Sequence, residues 1–222
     1  RPDERLHIGL SPHAEAEVLG RWYAEEGGYV DWARRIARGS AETKVLRGVQ
    51  AVVTAADEAR TALDRRFAKG LAAWVEAGQP SHQVLPIQDA VHRVAATFLG
   101  GNPERRLLVL LLDGMAWAQA VQLLESMADR AAFWAPLAWH GTREGRIGDG
   151  GYPPMFAALP TTTEVSRAAF FAGKVMKAGS RLDTSKDPKH WEAHPQIKRF
   201  AEGRDTPRLL LRAEGHAKDG SA

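Results

Sequence analysis

The hydrophobic and polar positions along this chain follow two rhythms, with a break between them near residue 100. Up to that point apolar residues recur at helical spacing. Leu19, Trp22 and Tyr23 form one group, and Tyr29, Trp32 and Ile36 a second, with Gly27-Gly28 between them. Ser11-Pro12 is a favoured way to open a helix, a capping residue followed by proline in the first turn. From residue 41 to 78 a longer stripe runs through Val45, Val49, Val52, Val53, Ala56, Leu63, Phe67, Leu71, Trp74 and Val75. Its period near 3.6 predicts one long amphipathic helix. Gln79-Pro80-Ser81 ends it. A third helix is expected from Ile87 to Leu99, with Val91, Val94, Ala95 and Phe98 inward. Gly100-Gly101-Asn102-Pro103 is a cluster of breakers. It divides the expected domains into a helical region, 1–101, and a second region, 102–222.

The second region alternates strands with helices, which predicts an α/β arrangement. Its first element is the run Leu107-Leu108-Val109-Leu110-Leu111-Leu112, closed by Asp113-Gly114. Uninterrupted aliphatics fit a strand covered on both faces, as in a parallel sheet. A helix is expected over 115–128, carrying Ala118, Val121, Leu124 and Met127 on one side. Residues 132–139 are a second candidate strand, confined to an edge or a short piece by Pro136. A Gly- and Arg-rich loop follows over 140–153. Met155 to Leu159 is a short strand, Glu164 to Ala172 a helix, and residues 189–200 a short helix interrupted by Pro195. Arg208 to Leu211 is a last short strand.

Composition narrows the chemistry. The 222 residues are 44% hydrophobic and 26% charged, an ordinary balance for a water-soluble chain. A net charge of +3 is too mild for a dedicated nucleic-acid binder. With no cysteine, disulfides, thiolate metal sites and cysteine nucleophiles are excluded. No apolar run is long enough to span a bilayer and no signal peptide opens the sequence, so a cytoplasmic protein without membrane contact is expected. The absence of an initiator Met and the polar close after Leu211 predict a fragment of a longer chain.

Two strand ends carry the candidate chemistry. In open α/β sheets, ligands bind beyond the carboxyl ends of the strands. Asp113 is expected at one such end, and Pro160-Thr161-Thr162-Thr163-Glu164-Val165-Ser166-Arg167 at another. A hydroxyl at a helix start has backbone N–H groups and the positive end of the helix beside it. A carboxylate-held divalent metal lowers the pKa of such a hydroxyl further, so aspartate, metal and threonine together make a nucleophile for phosphoryl transfer. The plainer alternatives stay open. Asp113 and Thr163 are both residue types that cap helices, and an α/β binding domain with two such caps needs no metal. Glu164 reads as a first-turn acid facing the helix dipole. Arg167 reads as a phosphate ligand or a structural ion-pair partner. His140, His190 and His194 read as loop or surface residues, and Trp22, Trp32 and Trp74 as helix packing.

The pairing of an apolar run ending in Asp113-Gly114 with Leu159-Pro160-Thr161-Thr162-Thr163-Glu164-Val165-Ser166-Arg167 resembles the PglZ domain. That domain belongs to the alkaline phosphatase superfamily and occurs in bacterial phage-defence systems of the Pgl/BREX type. The resemblance covers about residues 105–215 and is most specific over 155–174. It implies an N-terminal helical region followed by the first half of an alkaline-phosphatase-like sheet with flanking helices. It implies a metal-dependent phosphatase or phosphodiesterase in which Asp113 is the first metal ligand. A position three residues after the proline selects Thr163, ahead of Thr162, as nucleophile and second metal-bound group. Ser166 and Arg167 fall one turn later on the same pocket. Zinc or manganese is the implied metal, incompletely held or absent in a fragment, since further Asp and His ligands belong to a later part of the domain. His216 and Asp219 stand at about that stage, without a strand leading into them. The implied partners are a phosphate ester, other phage-defence proteins and nucleic acid. The alternative role is a non-catalytic assembly or nucleic-acid-contacting component built on the same fold.

Overall fold

The computed structural model describes residues 10–39, 46–80, 83–100, 102, 104–128, 154–177, 182–202 and 207–209. The molecule is mainly helical, with a small two-stranded parallel sheet pairing β1 (Leu85–Pro86) with β2 (Met155–Phe156). Two compact units divide the chain. One combines Arg1–Leu85 with Leu111–Phe156, the other Pro86–Leu110 with Ala157–Ala222. Each unit therefore draws residues from both sides of the breaker cluster at 100–103.

In the first unit, α1 (Pro12–Trp22) starts at Ser11 with proline in its first turn. The Gly27-Gly28 pair does not end the helical path. A π-helical turn, Tyr23–Gly27, carries the chain directly into α2 (Gly28–Gly39). Gly28 is needed there for closeness, because a Cβ would strike the Trp117 ring of α5 (Trp117–Ala128). The Trp117 indole N–H donates to the Ala24 carbonyl at 3.2 Å, so the two helices are pinned at that crossing.

The long stripe forms α3 (Leu46–Glu76), which packs on α1. At Gly70 a Cβ would lie 2.8 Å from the Pro12 carbonyl, so this crossing also requires glycine. The stripe is used unevenly. Val52 is 70% exposed, whereas Trp74 near the other end is fully buried. Burial concentrates where Ala16, Trp74, Val84 and Phe156 meet, with Phe67, Leu71 and Val75 around them. Phe156 stands edge-on to Phe67 and Trp74, with centroids at 5.2 and 5.0 Å. Edge-to-face pairs of this kind add attraction beyond the area they bury. Away from the core, α2 and α3 are tied by charge. Arg34 reaches both Asp31 and Asp57, Arg38 reaches Asp57 at 2.6 Å, and Arg60 lies over the Tyr23 ring. Burial, together with the hydrogen bond to Asp31, pushes the Tyr23 phenol up to about 12.

The second unit begins with a short 3-10 turn, Ile87–Asp89, a π turn, Val91–Ala95, and α4 (Ala96–Leu99). The predicted helix over 87–99 is thus one helical path of changing pitch. The Val91 and Ala95 side chains join Ala90, Phe170, Phe171 and Ile197 in a core, with Ile87, Trp191, Phe200 and Leu209 against it. Phe170 and Phe171 come from α6 (Thr163–Ala172), Trp191 from α7 (Asp187–Ala193) and Ile197 from α8 (Pro195–Ala201). Pro195 separates α7 from α8, as its fixed φ and missing N–H lead one to expect.

The strand expected over 107–112 is not formed. Residues 105–112 have no regular secondary structure, and all six aliphatics are exposed, Leu108 and Leu110 by 78% and 72%. A strand exists by virtue of its ladder partners, and among the described residues none pairs with this run. Among the described residues the mixed α/β character rests on β1 and β2. Arg208 and Leu209 are likewise not in a strand. The expected strand at 132–139, the loop at 140–153, and His140, His216 and Asp219 lie outside the described residues.

Candidate functional site

Thr163, Ser166 and Arg167 come together on the opening turns of α6. Spacings of three and four residues place them on one face of the helix. The N-cap is Thr162, with extended backbone (φ −90°, ψ 155°), and its side chain makes no capping hydrogen bond. Thr163 is the first helical residue and is exposed. It does not cap α6. The Ser166 N–H donates to the Thr162 carbonyl at 3.1 Å, which closes the first turn. The N–H groups of residues 163 to 165 precede that first intrahelical bond, as the leading amides of any helix do. Glu164 adds a first-turn acid. At the far end, Gly173 closes α6 in the left-handed conformation (φ 63°). The Leu159–Pro160 peptide ahead of the site is cis.

Arg167 is held from below. Its Nε and Nη2 both donate to Oδ2 of Asp187, at 2.9 and 2.6 Å. Asp187 is 1% exposed, and the guanidinium lies 5.7 Å from the Phe171 ring centroid. Of the two expectations for Arg167, the ion pair that ties structure together is thus present. Asp187 opens α7, where a carboxylate also meets the positive end of the helix. Ser166 is half-buried.

Asp113 belongs to the first unit. It sits in an exposed turn with Gly114, whose φ of 73° needs glycine's freedom. It does not cap the next helix. Ala116 does, accepting from the N–H groups of Gln119 and Ala120 at 2.9 and 3.1 Å, while the Gln119 side chain accepts from the Ala116 N–H at 2.9 Å. The capping explanation, advanced for both Asp113 and Thr163, therefore holds for neither. As donors the two suit a hard or borderline cation, one offering a carboxylate and the other an alcohol. Among the described residues no three His, Asp or Glu side chains converge.

His194 corrects an expectation. The sequence reads it as a loop or surface histidine, but the residue is 2% exposed and its side chain caps α8. Its Nδ1 accepts from the Gln196 N–H at 3.0 Å. His190 is half-buried on α7. Trp74 and Trp32 pack as expected, Trp74 in the core and Trp32 edge-on to Tyr29 at 6.5 Å. Sequence reasoning missed Asp187, Gln196 and Glu17, all buried. The carboxylate of Glu17 accepts from the Gln83 N–H at 2.7 Å. Pro188 directly after Asp187 was the one available signal, marking a helix start whose acid faces inward.

No protein-family model, no curated protein and no solved structure matches the chain. Among the described residues no helix is long and apolar enough to cross a membrane.

Proposed function

We propose that the chain is part of a PglZ-type, metal-dependent phosphoric ester hydrolase with an alkaline-phosphatase-like domain, acting in a bacterial phage-defence system of the Pgl/BREX type. The observation that carries this reading is the setting of Thr163. It is an exposed alcohol at the first position of a ten-residue helix, with Ser166 and Arg167 on the same face, within the motif that resembles the family. The leading amides and the dipole of α6 favour negative charge at that point, and a phosphate ester brings such charge. Thr163 attacks phosphorus, a Thr163 Oγ1–P bond forms as the bond to the leaving oxygen breaks, and the proton lost from the Thr163 hydroxyl ends on the departing alcohol. Water then cleaves the phosphothreonine and releases phosphate. Arg167, fixed by Asp187, positions the first turn of α6 under the reacting group. Where zinc or manganese is bound, the metal would lower the Thr163 hydroxyl pKa and stabilise developing charge, with Asp113 the carboxylate that the family resemblance assigns to it.

Rates on an aryl phosphate and an aryl phosphodiester, with zinc or manganese added to the full-length protein, test the assignment. Thr163→Ala and Asp113→Ala are each expected to abolish hydrolysis while leaving circular dichroism and melting unchanged. Unchanged rates in either variant remove that residue from the mechanism.

One observation favours a second reading, a non-catalytic assembly component that contacts other defence proteins or nucleic acid. Six consecutive aliphatic residues at 107–112 are exposed, and contiguous apolar surface of that kind marks interaction sites. Hydrolysis lost in Thr163→Ala with partner binding retained separates catalysis from assembly.

A further inference from the structure

The junction of α7 and α8 is built around a histidine that must stay neutral. His194 ends α7, its N–H donating to the Trp191 carbonyl at 3.1 Å, and starts α8, its carbonyl accepting from the Lys198 N–H at 3.0 Å. Its ring does the capping of α8 through Nδ1, which accepts from the Gln196 N–H. An accepting Nδ1 carries no proton, so the neutral ring holds its proton on Nε2. That Nε2 is buried without a partner among the described residues. It lies over the turn that ends α6: a Cβ added at Gly173 would stand 2.5 Å from it. The Trp191 ring closes another side, with centroids at 6.3 Å. A second proton would set a donor against the Gln196 N–H and leave a charge at an Nε2 that has no acceptor among the described residues.

We infer that His194 is an acid-sensitive latch, neutral when α8 is docked against the end of α6, and that its protonation releases α8. The surrounding groups reinforce this. His92, on the π turn, faces the same junction and bonds through Nδ1 to Gln196 Oε1 at 3.1 Å. When charged, it repels charge on His194. His190 lies four residues earlier on α7 with its own Nδ1 buried. Lys198 and Arg199 of α8 are exposed, and the nearest acid on α7 is Glu192, also exposed. Asp187 is at the opposite end of α7 and is committed to Arg167. No carboxylate on these helices is placed to welcome the proton. Burial, aided by His92, holds the His194 pKa below its ordinary value of 6.5.

The sign follows directly. The unfolded chain takes up this proton at higher pH than the folded one. The latch is therefore fully stabilising above about 6.5, and its contribution is lost as pH falls from there through the folded value. The inference concerns the second unit itself and stands whether or not the chain is a hydrolase.

Amide hydrogen exchange on the intact chain at pH 7.5 and 5.5, corrected for intrinsic rates, tests it. Protection of the α8 amides is expected to fall, by up to roughly tenfold, the limit for one group with an unfolded pKa one unit above the lower pH. His194→Asn keeps a capping acceptor without a titrating ring and is expected to abolish that fall. NMR titration of the unmodified chain should show His194 titrating below the ordinary histidine range. Equal pH response in His194→Asn, flat protection in the unmodified chain, or a His194 ring titrating at or above 6.5 would each overturn the inference.

Discussion

At the scale of single residues, the second unit depends on polar side chains whose burial is tolerated only because each has a specific partner. Asp187 is the clearest. At 1% exposure its carboxylate is stabilised by the Arg167 fork, and breaking a buried pair by removing one member leaves an uncompensated charge. Arg167→Ala is therefore expected to destabilise the second unit by about 3–5 kcal/mol, measured as a shift in urea midpoint. Arg167→Lys should recover little of this, because both bonds come from the planar fork. A loss below about 1 kcal/mol, on the scale of an exposed pair, would show that the bridge is not structural. In the proposed reaction Arg167 would serve through this bridge, holding the helix that presents Thr163. Gly173 shows a similar economy. It must be glycine for its left-handed backbone and for the His194 ring lying on it.

At the scale of elements, the helices were legible and the sheet was not. The stripe of α3, the proline-led start of α1, the helix over 163–172 and the break at Pro195 all follow from period, capping chemistry and proline geometry, which are local. What failed depended on distant partners. The run 107–112 has the pattern of a strand covered on both faces, but pattern states only what cover the run can use. The ladder and both covering layers have to come from elsewhere, and among the described residues they do not. The use of Gly28 was not legible for the same reason, because Trp117, which needs that space, lies some ninety residues away in sequence. Within the candidate site, Thr163, Ser166 and Arg167 were readable from one contiguous motif. Asp187 and the cap made by His194 were not, because their burial depends on α6. The exposed run makes a direct prediction. Leu108→Asp should change the stability of the chain by less than about 0.5 kcal/mol, as for an ordinary surface site. A loss of several kcal/mol in thermal melting would mean that the run is buried in solution.

At the scale of the whole molecule, two units with separate cores carry the two residues on which the functional proposal turns, Asp113 in one and Thr163 in the other. The family resemblance assigns the metal to Asp113 and the nucleophile to Thr163, and neither residue stands at the N-cap position of the helix that follows it. The claim at the centre is chemical: the Thr163 oxygen becomes bonded to phosphorus during turnover. The most direct measurement is rapid acid quenching of the full-length protein reacting with an aryl phosphate in the presence of zinc or manganese, followed by peptide mass analysis. The account predicts a phosphoryl group on Thr163 that is absent from Thr163→Ala. Turnover with no phosphoryl group on Thr163, or with the same rate in Thr163→Ala, would contradict it.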